Sequence, residues 1–551
     1  MAYAHRMRRQ GSRAVARLAW ARARRCWRAY ASLVPADARA QLELGGVLDT
    51  LGERDDAVAA LRRALALAAA AGDDATHADA AVRLSWLLWN DVRTGDAMEL
   101  LRGVLASRLP DDSIRRVRAA LALAVQSASV GDNRRSAELV EAVERSSAAL
   151  DIEGVAGFLE AKALIFPQTA QSGSAVHYLQ LASQLASQQH DAHSTRNKLH
   201  LAGYVAQLDG NTRDARDRYA AAAAFAQDSG LICEVPFEQL SAAWASFTLG
   251  ELDRAAELLA AAFATEQLRG ESRLKRAWVG TIVGSARGDD ALAARAFAEL
   301  DVETAFRSRE PSKIGPVATA ASIRLRRLRR DAEADALLRR AVRAIANVES
   351  AWCLVGEVGR FGSDADVARL DGLLRASLPD NAISRAHRAL LDALRARRRG
   401  DVAATTRCAA EAELAFRACA WNYDAAGCVE LAGRTAEARA LYAAMGAHGD
   451  AARLDVAPQR GRPRRRDASA TVSDWETACL VVGGATNKTI ADQLGVSVRA
   501  VEQRLQKIYA SAGVANRAQL STIIARGWTP GRPPALTRTG SSRTASARSR
   551  R

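Results

Sequence analysis

Apolar and polar positions along this chain follow a helical spacing almost throughout. In "LELGGVLDTLGERDDAVAALRRAL" a glycine (Gly52) is followed five residues later by a small residue (Ala57) and four after that by a bulky one (Leu61). The same spacing recurs at Gly131/Ser136/Val140, Gly210/Ala215/Tyr219, Gly250/Ala255/Leu259, Gly288/Ala293/Phe297 and Gly433/Ala438/Tyr442. Successive glycines lie 79, 79, 40, 38 and 145 residues apart, near multiples of one unit of about 36–40 residues. Weaker units fit the gaps near 91, 170 and 400. The pattern predicts helical hairpins. The glycine closes the first helix with a left-handed residue. The small residue lets the second helix approach closely, and the bulky one fills the groove to the next hairpin. One such hairpin cannot bury its own apolar face, so the units must stack into a solenoid with a concave surface.

Near the C-terminus the period stays helical but the segments shorten. Trp475, Ala478, Cys479 and Val482 form a stripe at i, i+3, i+4 and i+7. Capping boxes precede it at Thr471/Asp474 and Ser473/Glu476, and Gly483–Gly484 stops it. Thr486 then caps a second helix whose Ile490, Ala491 and Leu494 face inward, ended by Gly495. A three-residue turn leads to Ser497, the cap of a third helix burying Val498, Val501, Leu505, Ile508 and Ala512. A fourth helix carries Leu520, Ile523 and Ile524. Short helices around a three-residue, glycine-containing turn have the geometry of a DNA reader rather than of a longer repeat hairpin.

Composition agrees with an all-α chain. Apolar residues make up 49%, much of it alanine, and aromatics only 5%. The longest apolar runs, "ALALAAAAG" and "RYAAAAAFAQ", fall short of the ~18–20 residues a membrane helix needs, so no membrane partner is expected. Arginine interrupts residues 1–30 too often for a secretory leader; the segment reads as a transit-peptide mimic or a mis-assigned start. Cysteines 26, 233, 353, 408, 419, 428 and 479 are odd in number and form no C-x-x-C, which suits reduced thiols in a cytoplasm.

The net charge of +16 is unevenly spread. Residues 1–30 carry nine arginines and no acid, 458–467 carry +4, 470–528 carry +2 and 529–551 carry +6, leaving the rest near −5. Most of the C-terminal excess flanks the short helices, where a polyanion is the simple partner.

Catalytic chemistry is missing. No G-x-x-x-x-G-K-[ST], G-x-S-x-G, H-E-x-x-H or paired C-x-x-C occurs, so no enzyme activity and no cofactor is expected. His190, His193 and His200 straddle a polar stretch and read as a solvated turn rather than a metal site. Asp55–Asp56 and Asp289–Asp290 follow repeat glycines and read as helix N-terminal charges. Catalytic and metal residues are therefore none.

The third helix differs in kind from the repeat helices. Its outward side shows Arg499, Glu502, Gln503, Gln506 and Lys507. Glutamine can pair bidentately with adenine edges, and arginine or lysine with guanine. Lys488 sits in the first turn of the second helix, beside amides that favour phosphate. Upstream, the linker "APQRGRPRRRDASATVSD" contains Arg460-Gly-Arg462-Pro463, the core of an AT-hook; Arg460, Arg462, Arg464, Arg465 and Arg466 read either as minor-groove or phosphate contacts or as a generic basic linker.

Two resemblances follow from these residues. Leu44, Gly45, Leu48, Gly52, Ala57, Leu61 and Ala64 fall at the signature positions of tetratricopeptide repeats, and the body resembles that family. The resemblance implies a protein or peptide partner on the repeats. From Ala470 to about Leu520 the chain resembles, without gaps, the LuxR-type DNA-binding domain: "GGATNKTIADQLGVS", Val501-Glu502, Leu505, Ile508-Tyr509, Gly513-Val514 and Arg517 carry the likeness. That resemblance implies double-stranded DNA as partner, with the helix from Ser497 in the major groove. Glu502, Gln503 and Gln506 would face bases; Lys488, Arg504 and Lys507 would lie near phosphates; Thr486, Asn487, Ser497 and Arg499 complete the expected contact set. The last helix of such domains often dimerises, so a homodimer is implied. Ala470, Arg504 and Ser511-Ala512 depart from the family's usual leucine, histidine and Lys-Leu.

The expected organisation is a basic segment (1–30), a tetratricopeptide-like solenoid (31–455), a basic linker (456–469), a four-helix LuxR-type helix-turn-helix domain (470–528) and a basic disordered tail (529–551). It resembles the C-terminal part of the large ATP-binding LuxR regulators without their nucleotide-binding domain. The expected function is transcription regulation. The competing reading is an interaction scaffold with a vestigial reader.

Overall fold

The computed structural model describes residues 2–146, 150, 152–165, 172–188, 192–265, 268–345, 348–376, 382–455, 477, 480–481, 485–494 and 497–525. Among these the regular structure is helix, with no strand. The chain divides into two units, 1–455 and 456–551.

The first unit is a run of helical hairpins, twelve among the described residues. The six glycines of the spacing pattern all take left-handed backbone, with φ between 75° and 89°. Each ends the first helix of a hairpin where an L side chain would be strained. The small residue five positions on is fully buried in all six. Ser136, the non-alanine among them, donates its hydroxyl to Ala124 O at 2.8 Å, which satisfies a polar group that the tight approach would otherwise strand. The bulky residue is buried at Leu61, Val140, Tyr219, Leu259 and Tyr442, and half-buried at Phe297. Each such burial contributes about 1.5–3 kcal/mol.

The weak units near 91, 170 and 400 are hairpins too, formed by Asp74–Asn90 with Thr94–Leu105, Ile152–Ile165 with Ser172–Gln188, and Ala382–Arg398 with Val402–Ala418. The first of these turns without glycine, at Val92 with φ 62°. Hairpins Pro311–Arg327/Asp331–Ala344 and Val348–Phe361/Asp364–Ala376 escaped the spacing pattern. Arg329 (φ 61°) stands where the glycine would in the former. The arginine-rich first thirty residues form a further hairpin, Ala2–Val15 and Trp20–Leu33. Its Ala4, Ala14, Ala23, Trp27 and Tyr30 are buried in one core with Leu42, Leu44, Val47 and Leu61.

The stack coils back on itself after about five hairpins. Trp20 Nε1 donates to Ser229 O (3.3 Å), Thr212 Oγ1 to Cys419 O (3.1 Å), Asn422 Nδ2 to Leu249 O (2.9 Å) and Leu252 N to Met445 O (3.2 Å). Repeat turns supply this seam. A β-carbon on Gly288 would lie 3.0 Å from Gly449 Cα, and one on Gly210 3.0 Å from Cys419 Sγ. These glycines therefore serve twice, in the local turn and in the approach of the next coil.

The second unit contains the helices Asn487–Leu494, Val498–Ala512 and Arg517–Ala525. Val481, Ile490, Ala491, Val501, Leu505, Ile508 and Leu520 form its core, with Leu480, Ala485, Tyr509 and Val514 against them. Val498 was expected inside but is 41% exposed, because it is the first residue of its helix and projects beyond the neighbours that cover Val501. Of the expected first helix, Thr477, Leu480 and Val481 are described, all helical, and Thr477 and Val481 are buried. The stripe Trp475, Ala478, Cys479 and Val482 lies outside the described residues, as do the turn residues Gly495 and Val496, the side chains of Ala512, Ile523 and Ile524, and the basic tail.

Candidate nucleic-acid interface and repeat cavity

Two caps orient the short helices. Thr489 N donates to Thr486 Oγ1 at 3.2 Å, and Ala500 N to Ser497 Oγ at 3.2 Å. Each hydroxyl satisfies one of the amides that a helix start leaves open. Both capping residues are exposed, at the positive dipole ends of their helices. Gln519 backs the third helix: its amide nitrogen donates to Asn516 Oδ1 (3.0 Å) and its side chain accepts from Ala515 N (2.8 Å). Arg517, one of the residues carrying the family likeness, reaches back to the first of the short helices. Its guanidinium donates to Asn487 Oδ1 at 3.2 Å and to Ala485 O.

The helix Val498–Ala512 is two-sided. Val501, Leu505 and Ile508 are buried, while Arg499, Glu502, Gln503 and Gln506 are exposed. Gln503 and Gln506 are one turn apart on the same side. Lys488 and Thr486 are exposed on the neighbouring helix start; Asn487 is half-buried under Arg517, and Arg504 is half-buried. The Lys507 side chain and the linker arginines 460, 462, 464, 465 and 466 lie outside the described residues. The exposed side offers carboxamide, carboxylate and guanidinium hydrogen-bond groups at helical spacing.

The repeat unit carries a second candidate, which sequence reading missed. The first helices of successive hairpins line a cavity of about 2160 Å³ that runs along the unit. Charged side chains in the wall pair with one another. Arg196 spans Glu238 (3.0 Å) and Glu234 (2.9 Å), Lys198 meets Glu160 at 2.5 Å, and Lys313 meets Glu310 at 2.5 Å. Burial alone would raise the Glu234 and Glu238 carboxyls. Arg196 and the imidazoles of His193 and His200 outweigh it, and both end below the ordinary carboxylate range. Asp424 in the same cavity has no comparable cation, and burial pushes it up to about 7 despite Arg360.

His200 corrects the expectation of a solvated turn. It lies in the helix Ala192–Leu208, half-buried, with Nδ1 2.8 Å from Glu238 Oε2 and its ring packed on Tyr219 and Phe237. His193 Nε2 is 3.0 Å from Thr50 Oγ1, and His190 lies outside the described residues. No group of three metal-ligating side chains occurs among the described residues. The paired aspartates fall where expected: Asp55 and Asp56 in a first helical turn, and Asp289 capping by accepting from Leu292 N at 2.9 Å. Among the described residues six cysteines are free, and no helix is long and apolar enough to cross a membrane.

No family model matches the chain. Two candidate HTH-type transcriptional regulators, from Mycobacterium bovis and Mycobacterium tuberculosis, are each 40% identical to it over 72 residues. That is 13% of this chain, and the match spans only 8% of the length of either relative. Among solved structures, the chain is similar to a Rap protein complexed with competence and sporulation factor (11% identity, 62% of this chain and 98% of that one, TM-score 0.42). It is also similar to the apo quorum sensor NprR of B. thuringiensis (10%, 66% and 97%, 0.34) and to yeast Tom70 (14%, 84% and 97%, 0.31). TM-scores below 0.5 establish none of them as the same fold. What the chain itself displays is an all-helical repeat unit followed by a short-helix unit, and its sequence has weak, partial homology to helix-turn-helix regulators.

Proposed function

We propose that the chain is a DNA-binding transcriptional regulator of LuxR type, with no catalytic step of its own, acting in the cytoplasm. The helix Val498–Ala512 enters the major groove of double-stranded DNA, and the repeats bind a protein or peptide partner. The reading rests on one observation: Arg499, Glu502, Gln503 and Gln506 form an exposed polar stripe on a helix whose other side is held by Val501, Leu505 and Ile508. Lys488 and the amides at Thr486 supply phosphate contacts. Residues 460–466 add charge without sequence preference, and the last helix provides a homodimer contact.

Binding titrations at several salt concentrations test this, using a site selected from genomic fragments and a scrambled control. Gln503→Ala should cost about 1–3 kcal/mol on the selected site and little on the control. Lys488→Ala should weaken both alike and flatten the slope of log K against log salt by about one. Equal loss on both sites for Gln503→Ala removes this helix from the groove. No DNA binding by the wild type leaves the interaction-scaffold reading in its place.

A further inference from the structure

Of the three lysines that line the cavity, Lys198, Lys275 and Lys313, one holds no carboxylate. Lys275, on the helix Gly270–Arg287, is half-buried and lines the cavity. Its ammonium donates to Ser241 Oγ at 2.6 Å and lies 4.2 Å from the centre of the Phe237 ring. Arg196, Lys198 and Lys313 each hold a carboxylate. Around Lys275, by contrast, no carboxylate oxygen of the described residues lies within 4.0 Å. The nearby acids are engaged elsewhere: Glu238 with Arg196 and His200, Glu271 with Lys313. Ser241 spends its own hydrogen on Phe237 O, so it offers Lys275 only an acceptor. Two of the three ammonium donors are thus left to the cavity.

The surroundings of this ammonium are aromatic. Ser241 and Trp244 are one turn apart on the helix Val235–Leu249, as Lys275 and Trp278 are on theirs. Trp244 and Trp278 meet edge to face at 4.8 Å, Trp244 stacks on Phe247 at 5.3 Å, and Phe247 meets Tyr423 at 4.3 Å. The wall therefore sets an ammonium with no carboxylate in contact beside a continuous ring surface. A half-buried ammonium whose remaining donors face a cavity is a ready partner for an anion.

We propose that this part of the cavity binds a ligand with a single carboxylate on an aromatic or apolar body. The carboxylate pairs with Lys275 and the body packs in the corner of Trp244 and Trp278. One ammonium with no arginine fork beside it suits a monoanion; Glu238 and Glu271 nearby disfavour a doubly charged phosphate. Burial has already pushed the Lys275 amine down to about 8, the state of a cation awaiting a partner. The chemistry is shared by a small aromatic acid and by a peptide C-terminus, and a cavity of about 2160 Å³ admits either. The inference deepens the proposed partner role of the repeats and does not depend on the DNA reader.

Calorimetry on the full chain tests it with four probes: indole-3-acetate, indole-3-acetamide, a tryptophan-containing tetrapeptide with a free C-terminus, and the same peptide amidated. At least one acid should bind about tenfold or more tighter than its amide. Lys275→Met should abolish that preference while Lys275→Arg keeps it, with both variants matching the wild type in circular dichroism. A stronger peptide acid identifies a C-terminus as the source; a stronger indole acid identifies a small molecule. Equal affinity for acid and amide, an acid preference surviving in Lys275→Met, or no binding by any probe at about 1 mM overturns the proposal. DNA titrations on the same preparations separate the two readings. Acid binding without DNA binding sinks the regulator alone, and DNA binding without acid binding sinks this site alone.

Discussion

Replacing Lys275 by methionine should make the repeat unit more stable at neutral pH, and the gain should vanish in alkali. The amine titrates near 10.5 in an unfolded chain and at about 8 in the fold, chiefly because burial disfavours its charge. Between those values the unfolded state holds the proton and the folded state does not, so stability rises with pH across that window. Below pH 8 the full penalty is present. A shift of this size corresponds to roughly 3 kcal/mol, trimmed to about 2–3 kcal/mol because water reaches the ammonium from the cavity. Methionine keeps the aliphatic stem and drops the charge. It strands nothing, since the Ser241 hydroxyl still donates to Phe237 O at 2.9 Å. Urea melts of both proteins from pH 6 to pH 10 give the assay. Tyrosines and other groups titrating in alkali are common to the pair and cancel in the difference. The stability difference should fall by about 2–3 kcal/mol over this range. A difference independent of pH would show an amine that is hydrated or paired in the folded protein, and the reasoning from its isolation would be wrong.

Other perturbations probe the remaining structure. Leu505→Ala, at a buried position of the second unit, should cost about 2–5 kcal/mol and unfold that small unit, abolishing DNA binding on every sequence while the main thermal transition of the repeats is unchanged. Glu238→Ala leaves Arg196 with Glu234 alone and His200 without its carboxylate, so a loss of about 3–5 kcal/mol is expected in urea melts. Because Glu234 and Glu238 are held below the usual carboxylate range, their stabilisation is present above about pH 4.5 and lost as pH falls through their folded values. Acid titration by circular dichroism should be shallower in Glu238→Ala. Gly288→Ala strains a left-handed turn (φ 78°) and crowds Gly449, so hydrogen exchange should accelerate in His448–Asp455 as the seam opens, and unchanged exchange would deny the seam its role.

Much of this molecule is written in local order. Gly52, Gly131, Gly210, Gly250, Gly288 and Gly433 announce their turns because only a left-handed residue closes a helix that way. Thr486 and Ser497 announce theirs because a hydroxyl reaches an amide two or three residues on. The buried and exposed sides of Val498–Ala512 follow from the 3.6-residue period, except at its first residue, where no neighbour covers Val498. Hairpins turning at Val92 and Arg329 were harder to read, since packing there imposes a backbone that the residue type does not favour. Tertiary structure decided the rest. His200 belongs to a buried carboxylate site because Glu238, 38 residues on, faces it from the next hairpin. The seam exists because residues about 200 positions apart meet when the stack coils back, as Thr212 meets Cys419. Lys275 looks like any surface lysine in sequence. It differs from Lys198 and Lys313 because the preceding hairpin places Phe237, Ser241 and Trp244 beside it while Lys313 takes Glu271, and no periodicity along one helix records what the next helix brings to its face.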